Sequence, residues 1–347
     1  MAAPQQDKDK PRTRGLPSIA EQRELRASRP LPAASGSFWI WSLIAIVAMT
    51  IFYWRKTQSE NEAYRARILA KQRGVAAESG AAFTSLRDRA EGWTMKLAQG
   101  TFEPDLVAPA LRASLDPKTG EPLIFQRPGV YLRVTREGAR TAESIRTAAT
   151  ESLRDAFTSC LLHTPHMAAH EGQACRVSKE CPAGQLCNEA NVCSTPAQPF
   201  NLRLAYHGLR VLSDEWVRRV QTAGDGASDA LLLRRYEMDI DSAVSNDLPV
   251  VNELLKKAEY FLVVVDEIPE GFKAPADTSL AQAVQSEVHP ARVGLYDLRS
   301  GAQLLRLHRT VDITVPAIPG DAATIEAQRR QILNCGLAQE VRAAIAP

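Results

Sequence analysis

Between Phe38 and Trp54 the chain is uncharged and almost wholly apolar, and charged residues return at once with Arg55 and Lys56. As a helix rising about 1.5 Å per residue, this run covers about 25 Å, the short end of what spans a bilayer. Phe38, Trp39 and Trp41 stand at one end and Phe52, Tyr53 and Trp54 at the other, the aromatic belts of a transmembrane helix. A buried core helix has no need of aromatics at both ends. A cleaved signal peptide fits poorly, because 37 residues precede the run and no small-residue cleavage site follows it.

Residues 55–98 read as a helical stalk. Leu69, Ala76, Phe83, Ala90 and Leu97 recur every seven, with Leu86 and Trp93 between them, while Gln72 and Ser79 interrupt the seam. Two outcomes are expected of such a face: a coiled coil joining two copies in a homodimer, or a helix packed on its own domain.

A globular domain is expected over residues 101–347. PLIF, then Arg127-Pro128-Gly129, then VYLRVT with Val130, Leu132 and Val134 on one face, predict a strand, a turn and a half-buried strand. Ile145, Ala149, Leu153, Ala156, Phe157 and Cys160 predict one amphipathic helix from Thr141 to Leu162, stopped by Pro165. Further helices are expected at Leu209–Val220 and Ser228–Val244, and after Asp247-Leu248-Pro249, where Asp247 caps and Pro249 fits the first turn.

YFLVVV, Tyr260–Val265, reads as a buried central strand, followed by a long loop, Glu267 to Pro290. ARVGLYDL and AQLLRLHRTV flank Arg299-Ser300-Gly301 as a hairpin, and a helix runs from Ala322 to Ile345. Strands and helices mix without strict alternation. The expected fold class is therefore α+β, a largely antiparallel sheet with packing helices, an inserted cysteine-rich loop and one N-terminal transmembrane helix.

Composition changes this picture little. The 347 residues are 45% hydrophobic and 24% charged, with a net charge of +2 that gives no reason to expect a nucleic-acid partner. Residues 1–37 hold Pro4, Pro11, Pro17, Pro30 and Pro32 amid mixed charge, a disordered tail.

The cysteines matter more. Cys175, Cys181, Cys187 and Cys193 follow at a constant step in CRVSKECPAGQLCNEANVC, and only Cys160 and Cys335 lie elsewhere. Zinc sites bring thiolates in as C-x2-4-C pairs, and no C-x-x-C occurs, which argues against a zinc knuckle and excludes a thioredoxin-type centre. Val177, Leu186 and Val192 are too few to order the stretch, so cross-links are needed. Three pairings connect four cysteines; Cys175 with Cys187 and Cys181 with Cys193 is favoured. Cys160 and Cys335 are expected to form a third bridge, tying the first domain helix to the last.

The stretch resembles the small C-x5-C-P-x-G-x2-C-x5-C modules of secreted and envelope proteins in some Gram-negative soil bacteria, over residues 175–193. That resemblance implies an oxidising compartment and no activity. Disulfides persist outside the cytoplasm. The expected placement is therefore the inner membrane, with a cytoplasmic N-terminus and the bulk in the periplasm. Arg55, Lys56, Arg65, Arg67, Lys71 and Arg73 taken alone point the other way, but long domains cross largely regardless of charge.

Chemistry is thinly marked. His163, His166 and His170 precede the cysteine module, and His166 with His170 at i, i+4 is a weak candidate metal pair. Glu237, Asp239 and Asp241 read as a solvated acidic patch. Asp266 and Glu267 end the YFLVVV strand where ligands bind in some sheets, although an ordinary strand end is the simpler reading. G-x-S-x-G, H-E-x-x-H and phosphate-loop motifs are absent, and no cofactor is expected. The expectation is a single-pass envelope protein that binds a partner or serves as a structural component. A hydrolase or metal-dependent enzyme near residues 267–290 or the histidines, and an envelope sensor, are the alternatives.

Overall fold

The computed structural model describes residues 36–116, 122–152, 155–162, 172–196, 198–223, 229–275, 278–311 and 320–346. His163, His166 and His170 lie outside them. Two units divide the chain, Met1–Glu60 and Asn61–Pro347.

In the first unit, helix α1 (Gly36–Ala98) begins, and its residues Phe38–Trp54 are exposed almost throughout. Among the described residues this is the one helix long and apolar enough to cross a membrane. Large aromatic and aliphatic surfaces left open on a helix need a non-aqueous neighbour.

The second unit is a six-stranded sheet with helices on both faces. Its strands are β1 (Leu106–Val107), β2 (Gly129–Thr135), β5 (Phe200–Asn201), β6 (Tyr260–Asp266), β7 (Pro290–Asp297) and β8 (Gln303–Thr310). They lie in the order β1-β8-β7-β6-β2-β5, while β3 (Leu186–Cys187) and β4 (Cys193–Ser194) make a separate ribbon in the cysteine module. The helices used below are α2 (Ala142–Glu151), α3 (Ala156–Leu162), α4 (Arg203–Gly208), α5 (Asp214–Thr222), α6 (Asp229–Ser242), α7 (Leu248–Lys257), α8 (Leu280–Gln285) and α9 (Ala322–Ile345).

The sheet is mixed, which corrects the largely antiparallel expectation. β2 pairs in parallel with β6 along its whole length, from Gly129↔Tyr260 to Thr135↔Asp266, and in parallel with β5. Only β6-β7, β7-β8 and β8-β1 are antiparallel. The reason is the long crossover between β2 and β6, which carries α2 to α7 and returns the chain in the same direction. Strands covered on both faces lose their alternation, so β2 is buried at every position instead of half-buried.

Alternate residues of β6 serve two cores. Phe261, Val263 and Val265 meet α1, α4 and α7; Tyr260, Leu262 and Val264 meet α3 and α9. Gly129 is required where β2 passes β6, because a Cβ there would stand 2.1 Å from the Tyr260 ring. The β7-β8 turn forms as the sequence indicates. Gly301 takes φ 73°, and Asp297 Oδ1 accepts from the Arg299 and Ser300 amides at 2.9 and 2.6 Å.

Within this unit the 61–98 part of α1 buries Ile68, Gln72, Val75, Ser79, Phe83, Leu86, Ala90, Thr94 and Leu97. The steps are threes and fours averaging the ~3.6 of a straight helix, not the 3.5 of a coiled-coil seam. The two polar interruptions of the seam face the domain's own side: Asn252 donates to Ser79 Oγ at 2.8 Å. Trp93 stacks on Tyr296 at 4.7 Å, and Glu91 takes a two-pronged bond from Arg146 of α2 at 2.9 Å.

Several local expectations change. PLIF is a 3-10 turn, Leu123–Gln126, not a strand. In place of one helix over Thr141–Leu162 there are two, α2 ending at Glu151 and α3 starting at Ala156. Leu209–Leu212 is 3-10 and α5 starts only at Asp214, capped by Ser213. Asp247 does not cap α7: it lies in a π-turn, Ala243–Asp247, that joins α6 to α7, and its carboxylate meets His207 Nδ1 at 3.2 Å. The segment between β6 and β7 contains α8.

The cysteines stand in three disulfide pairs, Cys160–Cys335, Cys175–Cys187 and Cys181–Cys193. The first joins α3 to α9. The other two hold the module together, and Asn191 (φ 57°) turns the chain between Cys187 and Cys193.

Candidate functional site: a buried ionic cluster under a cleft

β2 and β6 run in parallel and end together, and at their C-terminal ends a charged cluster sits where the apolar core stops. Arg133 is fully enclosed, yet it lies on the same face as Tyr131, Tyr260 and Val264 because strand residues alternate. Burying a guanidinium is costly unless every N–H finds an acceptor. Its Nε and one terminal nitrogen grip Asp266 at 2.8 and 2.9 Å; the other terminal nitrogen donates to Asp155 at 3.1 Å and Asn334 at 2.7 Å.

The partners come from four elements. Asp266 is the last residue of β6, Asp155 precedes α3, Asn334 lies on α9 and His289 precedes β7. The Tyr131 hydroxyl donates to Asp155 Oδ2 at 2.6 Å. His289 places Nε2 2.9 Å from Asp266 Oδ1 and Nδ1 2.7 Å from the Glu287 carbonyl. Both partners are oxygen acceptors. Burial acts to raise the Asp266 pKa, but the Arg133 charge and the His289 bond outweigh it and hold the carboxyl well below its ordinary range. Burial, reinforced by the Asp155 charge, pushes the Tyr131 hydroxyl well up.

The disulfide between Cys160 and Cys335 has a local consequence here. It pins α3, which starts beside Asp155, to α9 at the residue after Asn334. The two side chains that share one Arg133 nitrogen are thus held by a covalent strut.

A cleft of about 1080 Å³ opens over the cluster, walled by α2, α8 and α9. Arg133, Asp155 and Asn334 form part of its lining. Ligands of open α/β sheets lie beyond the carboxyl ends of parallel strands, and this cleft has that location. In the cluster beneath it, Asp155 Oδ1 and Asn334 Nδ2 are buried without a hydrogen-bond partner among the described residues. The orientation of the Asn334 amide follows from Arg133, which needs an acceptor and so fixes Oδ1 toward itself.

Glu267, next in sequence to Asp266, turns to the opposite side. It pairs with Arg292, and Arg292 donates to the carbonyls of Leu97, Gln99 and Gly100 at 3.0, 3.2 and 3.3 Å. Arg136 adds bonds to Ala98 and Gly100 at 3.0 and 3.1 Å. Two guanidinium groups thereby satisfy the open carbonyls at the C-terminus of α1.

Of the residues singled out in the sequence, Asp266 enters the cluster and Glu267 the arginine clamp. Glu237 and Asp241 are engaged by Tyr64, Arg67 and Lys71 of α1, and Asp239 by Arg210. Sequence reasoning missed Arg133, Tyr131, Asp155, His289 and Asn334. One signal was legible, an arginine in the middle of the apolar strand VYLRVT. Cys175, Cys181 and Cys193 bring their sulfurs within 4.8 Å of one another, but each is committed to a disulfide, and metal ligation requires free thiolate. Comparison with family models, with curated proteins and with solved structures finds no match.

Proposed function

We propose that the protein is a single-pass binding protein of the cell envelope, its N-terminal tail cytoplasmic and its stapled α+β unit in the periplasm. The observation that carries the binding role is the large cleft at the C-terminal end of β2, whose lining includes Arg133, Asp155 and Asn334 of the buried ionic cluster. The exposed apolar segment of α1 supports the anchor, and three disulfides support the oxidising side.

One experiment addresses topology and occupancy together. Single cysteines are placed at Ser18 and at Thr147, an exposed residue of the cleft wall, and labelled with a membrane-impermeant maleimide. In intact spheroplasts Thr147→Cys should label and Ser18→Cys should label only after permeabilisation. Thr147→Cys should also react more slowly in the native envelope than in purified protein, and Asn334→Asp should remove the difference. Equal rates in both settings reject the binding role; labelling of Ser18→Cys in intact spheroplasts rejects the orientation.

A sensor reading has one specific observation behind it. Asp266 and Glu267 are consecutive, one in the cluster beneath the cleft and the other in the clamp on the C-terminus of α1.

A further inference from the structure

The sheet itself narrows what the cleft holds, provided the binding role above stands. β2 has a full neighbour on one side only. β6 pairs with it from Gly129 to Thr135, whereas β5, the last strand of the sheet, reaches only Val130 and Tyr131 before the chain turns into α4. Residues 132–135 therefore have no strand on their second side among the described residues.

Main-chain groups of successive strand residues point alternately to the two sides. The Gly129 amide donates to Gln198 Oε1 at 3.1 Å, and the Tyr131 carbonyl accepts from the Leu202 amide at 2.8 Å, both on the β5 side. The Arg136 amide donates to the Asp266 carbonyl at 2.8 Å, on the β6 side. Odd-numbered positions thus face away from β6. Arg133 and Thr135 accordingly turn their N–H and C=O groups to the bare edge, two donors and two acceptors at the spacing of a strand.

The cleft meets that edge. Arg133, Val134 and Thr135 all line it, although neighbouring strand residues point their side chains to opposite faces. A cavity that touches three consecutive residues meets the strand along its rim. The walls agree: α2 packs Ile145 and Ala149 into the core on one face of the sheet, and α9 packs Leu333 and Leu337 into the core on the other. The lining is mostly apolar and its side chains are small, with Ala148, Ala156, Ala281 and Ala327 beside Val134 and Leu280. Glu137, Glu151 and Arg330 carry both signs of charge and select no ion.

We infer that the cleft binds an extended peptide segment of a protein partner, which adds a strand to the bare edge of β2 at Arg133 and Thr135. An open strand edge is a template for another chain, and extended peptides dock on such edges through main-chain hydrogen bonds. Alternate side chains of the segment then face the alanine-rich walls on the two sides of the sheet.

The test uses the full chain in detergent and titration calorimetry with acetylated, amidated heptapeptides Lys-X-Ser-X-Ser-X-Lys, X being alanine, valine or leucine. At least one should bind. Methylating its alternate amide nitrogens should weaken it about tenfold or more in one phase and by no more than about twofold in the other, because an added strand bonds through every second residue. Thr135→Pro removes the N–H that faces the bare edge and keeps the ladder to β6, and it should also weaken the peptide about tenfold or more. Thr135→Val keeps that N–H and should bind as the native chain does. Where Thr135→Pro does not fold, the methylation phases decide alone.

Silence from all three peptides overturns the added strand, as does binding that both methylation phases weaken equally or that a folded Thr135→Pro chain retains in full. In those cases slow labelling of Thr147→Cys in the native envelope leaves the binding role standing with a different ligand. Equal maleimide rates at Thr147→Cys, by contrast, defeat the binding role itself.

Discussion

Arg133 shows what a single buried charge demands. Its four hydrogen bonds engage two aspartates and an asparagine, so removing it strands two acidic side chains in the interior. Arg133→Ala is expected to cost about 3–5 kcal/mol, read from the denaturation midpoint of the detergent-held chain. The pH response follows from Asp266. Its carboxyl is held below the ordinary value near 4, so the stabilisation is complete above about pH 4 and is lost as pH falls toward the folded value. The thermal midpoint should drop on acidification below pH 4, and Asp266→Asn should flatten that slope while lowering stability at pH 7. A slope unchanged in Asp266→Asn would place the acid sensitivity elsewhere. The composition of VYLRVT exposes Arg133 as an oddity, but its partners lie up to 201 positions away, beyond any local pattern.

At the scale of elements, α1 and the disulfides carry the argument. The buried stripe of α1 makes its second half part of the core, with Phe83 packed edge-on to Tyr206 at 6.0 Å. Phe83→Ala should therefore destabilise by about 3–5 kcal/mol, and the loss should be independent of protein concentration, as a contact within one chain requires. A midpoint that shifts with concentration would assign Phe83 to an interface between copies. The Cys160–Cys335 bridge closes a separation of 175 residues. Replacing both cysteines by alanine should cost about 2–5 kcal/mol. It should also weaken any cleft ligand more than the corresponding Cys181 and Cys193 replacement, because only the first pair braces Asp155 and Asn334. A seven-residue recurrence in sequence did not distinguish a dimer seam from a helix packed at home, since the two repeats differ by only ~0.1 residue per turn. The partners of Ser79 and Glu91 distinguish them.

For the whole molecule, the division at Glu60 and Asn61 predicts where the chain can be cut. A fragment beginning at Asn61 should be soluble and folded, with a cooperative melt. A fragment beginning at Thr101 loses Ile68, Val75, Phe83, Leu86, Ala90 and Leu97 from the core and should aggregate. Circular dichroism and size-exclusion chromatography of the two decide the matter, and a folded fragment from Thr101 would show that α1 is dispensable.

The sequence alone determined features whose cause is local. An unbroken apolar run yields a membrane-length helix, a run of β-branched residues yields the central strand, and Asp297 with Gly301 yields the hairpin turn. Only the tertiary structure decided that β2 and β6 are parallel, because strand direction depends on the path of the crossover and not on the strands' composition. The same parallel pairing brings Arg133 beside Asp266, and the packing of α3 and α9 supplies Asp155 and Asn334. The cleft was illegible for that reason: its polar groups are ordinary residues scattered along the chain, and only the fold gathers them around one cavity.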